Sequence, residues 1–311
     1  MVIKTDYLTV ARSRLAYISK QSIVSHKPKI MQIESTNHCN LKCPMCPQPT
    51  MKRPKGFMDF DFFKKVIDEN RMYLEEVGLH HFGEALIHPR IVDMIAYTNE
   101  RDVFAGFSTN GALLKKDLST ALIKAGIHWI NLDFDSFDKM VFEKVRVNAK
   151  FEQVLKNIND FIEEKERLNS SVEITIQMIK FDDNKPEFTR FLKEWRRKGV
   201  NHVRLQSYLT YDKDIKSVTS LVKDPSIKAN GHKMCFYPWR SLVILWDGRV
   251  VPCCGDYEAK NVLGSLQDST IEEMWNGEKM VALRDDHIRN NFENNELCRN
   301  CLSFNTKWPF K

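Results

Sequence analysis

Three cysteines at CxxxCxxC spacing, Cys39, Cys43 and Cys46, stand in the stretch Glu34-Ser-Thr-Asn-His-Cys39-Asn-Leu-Lys-Cys43-Pro-Met-Cys46, just after the apolar run Ile30, Met31, Ile33. A loop that carries three thiolates so close together can wrap one corner of a compact metal centre. The number of thiolates is what constrains the chain. A closed structural zinc site takes four ligands, and a cubane iron–sulfur cluster can also be held by four. Three cysteines leave one iron of a cubane open for a ligand that is not protein. Other readings of the triplet are a zinc knuckle completed by His38 and a redox thiol cluster.

Length and composition narrow the setting. A chain of 311 residues holds one large domain, or a large one with an appendage. Its apolar fraction of 42% and its 19 Phe can build a substantial core. No run of about 18 apolar residues is present, so no membrane span is expected. The N-terminus lacks an uninterrupted apolar h-region, and no signal peptide is expected. Eight cysteines without a secretion signal point to metal ligation in a reducing compartment rather than to disulfides, and the chain reads as cytoplasmic. The net charge of +6 is dispersed, its tightest groups being Lys64, Lys65 and Arg196, Arg197, Lys198. No long basic tract with interleaved aromatics occurs, which argues against nucleic acid as a partner.

Residues 1–28 read as an N-terminal helical segment, with Leu8, Ala11, Leu15 and Ile18 on one side as the face that packs on the body of the protein. From residue 29 strands and helices alternate. Apolar strand candidates lie at 29–34, 75–82, 103–108, 127–133, 171–179 and 201–208. Helical patterns fall between them, at Phe60–Met72, Lys115–Ala125, Phe151–Arg167 and Lys185–Lys198. Gly126 and Gly199 occupy helix C-cap positions, each just before a new strand. Six such units imply a parallel sheet with helices on its outer face, an open and partial barrel at residues 29–210, where eight units would close one. Chemistry in such architectures sits at the C-terminal ends of the strands, and the cysteine loop lies at that end of the first strand.

CxxxCxxC directly after a first strand resembles the radical S-adenosylmethionine (SAM) superfamily. There a [4Fe-4S] cluster held by three cysteines binds the amino and carboxylate groups of SAM at its open iron. The second strand runs into His80-His81-Phe82-Gly83-Glu84-Ala85, which resembles the superfamily's GGEP motif, with Phe82 for the first Gly and Ala85 for Pro. The resemblance assigns Gly83 and Glu84 to the SAM amino group, and Glu84 is the charged acceptor an ammonium needs. It assigns Ser108 and Asn110, at the third strand's tip Ser108-Thr-Asn110-Gly111, to the ribose hydroxyls or the SAM carboxylate. Met45 stands where relatives often carry an aromatic residue, and its backbone is expected to contact adenine. After the fourth strand, which ends at Asp133, Asp135 and Ser136, Arg146 is expected to pair with Glu84 or with the SAM carboxylate. On the later strands, alternation sets Gln177, Arg204 and Gln206 opposite in facing to their apolar neighbours; facing inward they would be substrate contacts.

Residues 211–234 are polar and read as a linker. A second cysteine set follows within 235–311: Cys235, Cys253, Cys254, Cys298 and Cys301. Two apolar runs around Asp247-Gly248 predict a hairpin, and Ser269-Thr270 predicts a helix N-cap. Alone, this set reads as a zinc ribbon. Beside a radical SAM core it resembles the twitch or SPASM extension, in the short form with one auxiliary [4Fe-4S] cluster, whose ligands would be Cys235, Cys253, Cys298 and Cys301. Either cysteine of the 253–254 doublet can serve as the ligand. The other is then a packed small residue or a hydrogen-atom donor, here taken as Cys254.

The resemblance spans about residues 29 to 305 and is nearest to radical SAM dehydrogenases and epimerases of sugars and aminocyclitols. It implies an oxidoreductase acting on a small molecule, with Cys254 and Arg204 as the candidate catalytic residues and a flavodoxin or ferredoxin-type reductant. The activities in competition are oxidation of a secondary alcohol with the auxiliary cluster as electron acceptor, epimerisation with Cys254 as hydrogen donor, and peptide modification. A zinc-binding adaptor without catalysis is the remaining class.

Overall fold

Strand and helix alternate from Lys29 onward because apolar runs with buried β-branched residues are punctuated by caps. The computed structural model describes residues 7–206 and 234–301. Six strands, β1 (Lys29–Ile33), β2 (Glu76–Gly78), β3 (Phe104–Thr109), β4 (Trp129–Asp133), β5 (Glu173–Ile179) and β6 (His202–Gln206), pair in parallel, each with the next. Between them run α2 (Phe60–Glu69), α3 (Ile91–Glu100), α4 (Lys116–Lys124), α5 (Lys139–Val145), α6 (Phe151–Arg167) and α7 (Phe188–Arg197). The result is an open, partial barrel.

Local chemistry sets the helix ends. Asp59 caps α2 by accepting from Phe62 N at 2.9 Å, and Asp138 caps α5 by accepting from Met140 N at 2.8 Å. Gly126 (φ +84°) and Gly199 (φ +74°) close α4 and α7 in the left-handed region, which a Cβ disfavours. Behind the sheet, Phe134 packs its ring against Phe137, Phe142, Phe151 and Trp195 at centroid distances of 5.2 to 5.8 Å. This aromatic core fixes α5, α6 and α7 on the strands.

β2 is shorter than the expected 75–82. Leu79 N still bonds Gly106 O at 2.8 Å, but the chain then leaves the sheet so that Glu84 N reaches His38 O at 2.8 Å. The strand gives way to a loop that meets the cysteine loop.

The expected hairpin forms from β7 (Ser241–Ile244) and β8 (Arg249–Val251), with Gly248 at φ +85° in its turn, and β9 (Gly264–Ser265) extends it. It does not stand apart from the barrel. β7 pairs in parallel with the free side of β1, from Lys29↔Ser241 to Ile33↔Ile244, so the nine strands run in the order β6-β5-β4-β3-β2-β1-β7-β8-β9. Leu242, Ile244 and Val250 join the main core, whereas Val243, Leu245 and Val251 form a second apolar patch that packs Met31 and Cys254. Helices α8 (Ile271–Trp275), α9 (Glu278–Arg289) and α10 (Glu296–Asn300) complete the C-terminal segment. Thr270 caps α8 in a capping box with Glu273. The linker expected at 211–234 lies outside the described residues except for Met234.

The N-terminal helix α1 (Tyr7–Ile18) corrects one expectation. The face at Leu8, Leu15 and Ile18 does not pack on the barrel; these side chains are 68%, 62% and 72% exposed. The helix seats itself through Ser13, Ala16 and Tyr17 instead. Tyr17 Oη donates to Met234 O at 2.5 Å, and its ring meets Phe236 and Trp239 edge-on at 5.2 and 5.5 Å. An aromatic cluster with a satisfied hydroxyl outcompetes the aliphatic stripe.

Candidate functional site

A cavity of about 340 Å³ opens at the C-terminal ends of the barrel strands, and Cys39, Cys43 and Cys46 all line it. Burial pushes the Cys39 thiol up to about 11 and Cys46 up to about 12, and each is raised further by the other two or by nearby carboxylate charge. Three thiols, Cys43 buried and Cys39 and Cys46 half-buried, within electrostatic reach of one another are poor as free thiolates. They suit a bound cationic centre that displaces their protons.

Gly83 is where the loop after β2 crosses the cysteine loop. A Cβ there would stand 2.2 Å from Thr36 O and 2.8 Å from Asn37 Cα, so only glycine permits the approach. Glu84 follows, 2% exposed, and lines the same cavity. Its carboxylate accepts from Thr109 Oγ1 at 2.7 Å, Asn110 N at 2.9 Å and Leu86 N at 3.1 Å. Burial, with a contribution from Asp133, still lifts it to about 7. Two oxygens offer four lone-pair sites, so room remains for one cationic donor.

Ser108, Asn110 and Met45 also line the cavity. Asn110 Nδ2 donates to Asn40 Oδ1 at 3.0 Å, and Ser108 Oγ accepts from Asn131 Nδ2 at 3.2 Å.

Arg146 lines the cavity but does not pair with Glu84. Its Nε donates to Asp135 Oδ2 at 2.6 Å and one terminal nitrogen to Asp133 Oδ2 at 3.2 Å, while its positive charge opposes the rise that burial gives the Cys43 thiol. The end of β4 supplies two carboxylates beside it, and these outcompete Glu84. Gln177 Nε2 donates to Asp133 Oδ1 at 2.6 Å and accepts at Oε1 from Gln206 Nε2 at 3.1 Å. Both glutamines line the cavity, whereas Arg204, one pair of residues along β6, is exposed and lies outside that lining.

Behind the cysteine loop lies a buried ion network that sequence reading missed. Arg53 grips both Glu34 oxygens. His81 Nδ1 is 3.4 Å from Glu34 Oε1, and its Nε2 is 3.0 Å from the Cys254 carbonyl oxygen. Burial alone would raise Glu34, but His81 and Arg53 hold it down at about 2. Glu34 heads the motif stretch, yet nothing in the sequence joins it to positions 53, 81 and 254.

The second cysteine set also converges. Cys235 is raised to about 12 by burial first and then by the charges of Cys301 and Cys254. Cys253 interacts with Cys254 and Cys298, and Cys298 with Cys235 and Cys301. The Cys254 thiol is hydrogen-bonded by Tyr237, and Cys254 is not among the cavity-lining residues. Among the described residues, no three His, Cys, Asp or Glu side chains close around a single metal ion. A cluster spreads its thiolates wider than a zinc ion does, and the donor chemistry at both sets fits iron and sulfide.

Residues 33–192 match the model of the radical SAM superfamily. The chain belongs to that superfamily. Residues 235–302 match the SPASM iron–sulfur cluster-binding domain. A radical SAM protein with this extension uses a SAM-binding [4Fe-4S] cluster and an auxiliary iron–sulfur cluster. The chain is 23% identical over 300 residues to the tungsten-containing aldehyde ferredoxin oxidoreductase cofactor-modifying protein of Pyrococcus furiosus, covering 82% of this chain and 83% of that one. It is 20% identical over 276 residues to the S-adenosyl-L-methionine-dependent 2-deoxy-scyllo-inosamine dehydrogenase of Niallia circulans, covering 88% and 92%. SuiB of Streptococcus suis, solved with its precursor peptide SuiA, shares the fold with a TM-score of 0.68 at 13% identity, over 90% of this chain and 71% of that one. Among the described residues, no helix is long and apolar enough to cross a membrane.

Proposed function

We propose that this radical SAM protein oxidises a secondary alcohol of a sugar or aminocyclitol to the ketone. Bound SAM on the first cluster supplies a 5′-deoxyadenosyl radical that abstracts hydrogen, and the auxiliary cluster supplies a one-electron acceptor. Cys39, Cys43 and Cys46 hold the first cluster; Cys235, Cys253, Cys298 and Cys301 hold the auxiliary one. Glu84 receives the SAM ammonium beside the Gly83 backbone, Ser108 and Asn110 take the ribose or carboxylate, and the Met45 backbone meets adenine. Arg146 acts by fixing Asp133 and Asp135 rather than by gripping SAM. Asp133, Gln177 and Gln206 form a wall of acceptors and donors for substrate hydroxyls, and Asp133 takes the hydroxyl proton. A flavodoxin or ferredoxin-type protein provides the reducing electron.

The observation that carries dehydrogenation over epimerisation is the setting of Cys254. Its thiol is engaged by Tyr237 and lies outside the cavity lining, so it is poorly placed to return hydrogen to a substrate carbon. Similarity to the dehydrogenase of Niallia circulans over most of both chains supports the same reading.

The test is anaerobic turnover of 2-deoxy-scyllo-inosamine and related aminocyclitols in deuterium oxide with SAM and dithionite. Dehydrogenation gives a product two hydrogens lighter, with no solvent label on carbon. Solvent deuterium on one carbon, lost in Cys254→Ala, establishes the epimerase instead. Modification of a precursor peptide with no turnover of any polyol overturns the small-molecule reading.

A further inference from the structure

We propose that His287 is a positioning residue of the auxiliary cluster, donating a hydrogen bond to the Cys298 sulfur and so raising the cluster's reduction potential. The proposal rests on the assignment of Cys235 and Cys298 as ligands.

His287 lies in the last turn of α9 and is 2% exposed. Its Nδ1 accepts from the Cys235 backbone N–H at 3.3 Å. A neutral imidazole that accepts at Nδ1 carries its proton on Nε2. Nε2 is 3.6 Å from Cys298 Sγ, within reach of an N–H···S bond. Ring contacts hold the orientation: Phe292 meets the imidazole edge-on at 4.8 Å and Trp239 at 6.3 Å. One side chain therefore binds two ligand-bearing segments, one before β7 and one in α10.

Reduction adds negative charge to an iron–sulfur cluster, and much of that charge spreads onto the sulfurs. A donor aimed at a ligand sulfur stabilises the reduced state more than the oxidised one, so the potential rises. An acceptor of the substrate's second electron needs that bias.

The experiment is an EPR-monitored redox titration of the anaerobically reconstituted full-length protein. The Cys39/Cys43/Cys46→Ala variant, which keeps only the second site, assigns the auxiliary signal. His287→Leu is expected to keep about eight irons per chain, two cubanes, with a lowered auxiliary potential and an unmoved radical-cluster potential. His287→Gln, which retains an N–H donor, is expected to restore much of the shift. Wild type is also expected to show an exchangeable proton coupled to the reduced auxiliary cluster that is lost in His287→Leu and largely kept in His287→Gln, a readout that the wild type and the glutamine variant still give if the leucine variant folds poorly. Unchanged potential and coupling in both variants overturn the proposal. So does a loss of about four irons in His287→Leu that Cys298→Ala does not show, since His287 would then be a ligand. Full iron in both Cys298→Ala and Cys235→Ala overturns the ligand assignment itself and is distinct from a failure of the histidine's role.

Discussion

His81 Nε2 lies 3.0 Å from the Cys254 carbonyl oxygen, so the loop that follows β2 is tied directly to the C-terminal cysteine doublet. The other face of the same imidazole meets Glu34 Oε1 at 3.4 Å, and Glu34 in turn is held by Arg53. Segments around residues 34, 53, 81 and 254 thus share one buried ion network.

Acid stability should report this network. Glu34 sits at about 2 in the folded protein against an ordinary 4.5. The unfolded chain therefore binds more protons between those values, and stability present above pH 4.5 is lost as pH falls towards 2. The lowering corresponds to about 3 kcal/mol. In urea titrations, Glu34→Gln should remove this slope and also lower stability at pH 7 by about 3–5 kcal/mol, since Arg53 keeps a buried, uncompensated charge. An unchanged acid slope in Glu34→Gln would place the proton uptake elsewhere.

Glu84→Gln tests the SAM amino-group assignment. The amide keeps the shape but turns an NH2 group toward either the Thr109 or the Asn110 donor, and it removes the charge facing an ammonium. A charge-assisted hydrogen bond is worth roughly 1.5–3 kcal/mol, so SAM affinity should fall about ten- to hundredfold with iron content unchanged. Equilibrium binding to the reconstituted protein measures both, and unaltered affinity moves the role to another acceptor.

Arg146→Met distinguishes the observed pairing from the one expected. Asp135 is fully buried, and its Oδ2 accepts from Arg146 Nε at 2.6 Å. Removing the guanidinium leaves that carboxyl without its cation, and stability should fall by about 3–5 kcal/mol. An arginine serving mainly to bind SAM would instead lower SAM affinity and leave the urea midpoint of the SAM-free protein in place.

The parts legible in the sequence are those with local signals. Gly126 and Gly199 mark helix ends through their backbone freedom, Asp247-Gly248 marks a hairpin, and CxxxCxxC marks a metal-binding loop by its spacing, while the resemblance to the radical SAM superfamily names the centre. What stayed hidden depends on pairing between distant positions. Arg146 binds Asp135 and Asp133 because β4 and the end of α5 meet in space. His287 gave no signal inside the polar helix Glu278–Arg289, since its meaning comes from Cys235 and Cys298 arriving on either side. The helix at Tyr7–Ile18 misled for a related reason. Its aliphatic stripe has the right period, but the aromatic contact with Phe236 and Trp239 decides which face is covered.

The parallel pairing of Lys29–Ile33 with Ser241–Ile244 has a consequence for how the protein is made. The strand leading into the first cysteine loop emerges early from the ribosome, whereas its outer neighbour emerges after more than two-thirds of the chain. Until then one edge of β1 is an unpaired row of backbone donors and acceptors flanked by Ile30 and Ile33, open to pairing with other chains. Closing that edge brings together segments far apart in sequence, a slow kind of step. A chain stopped before Ser241 should accumulate as aggregate, and iron loaded on the first loop before β7 docks would sit beside an unfinished wall.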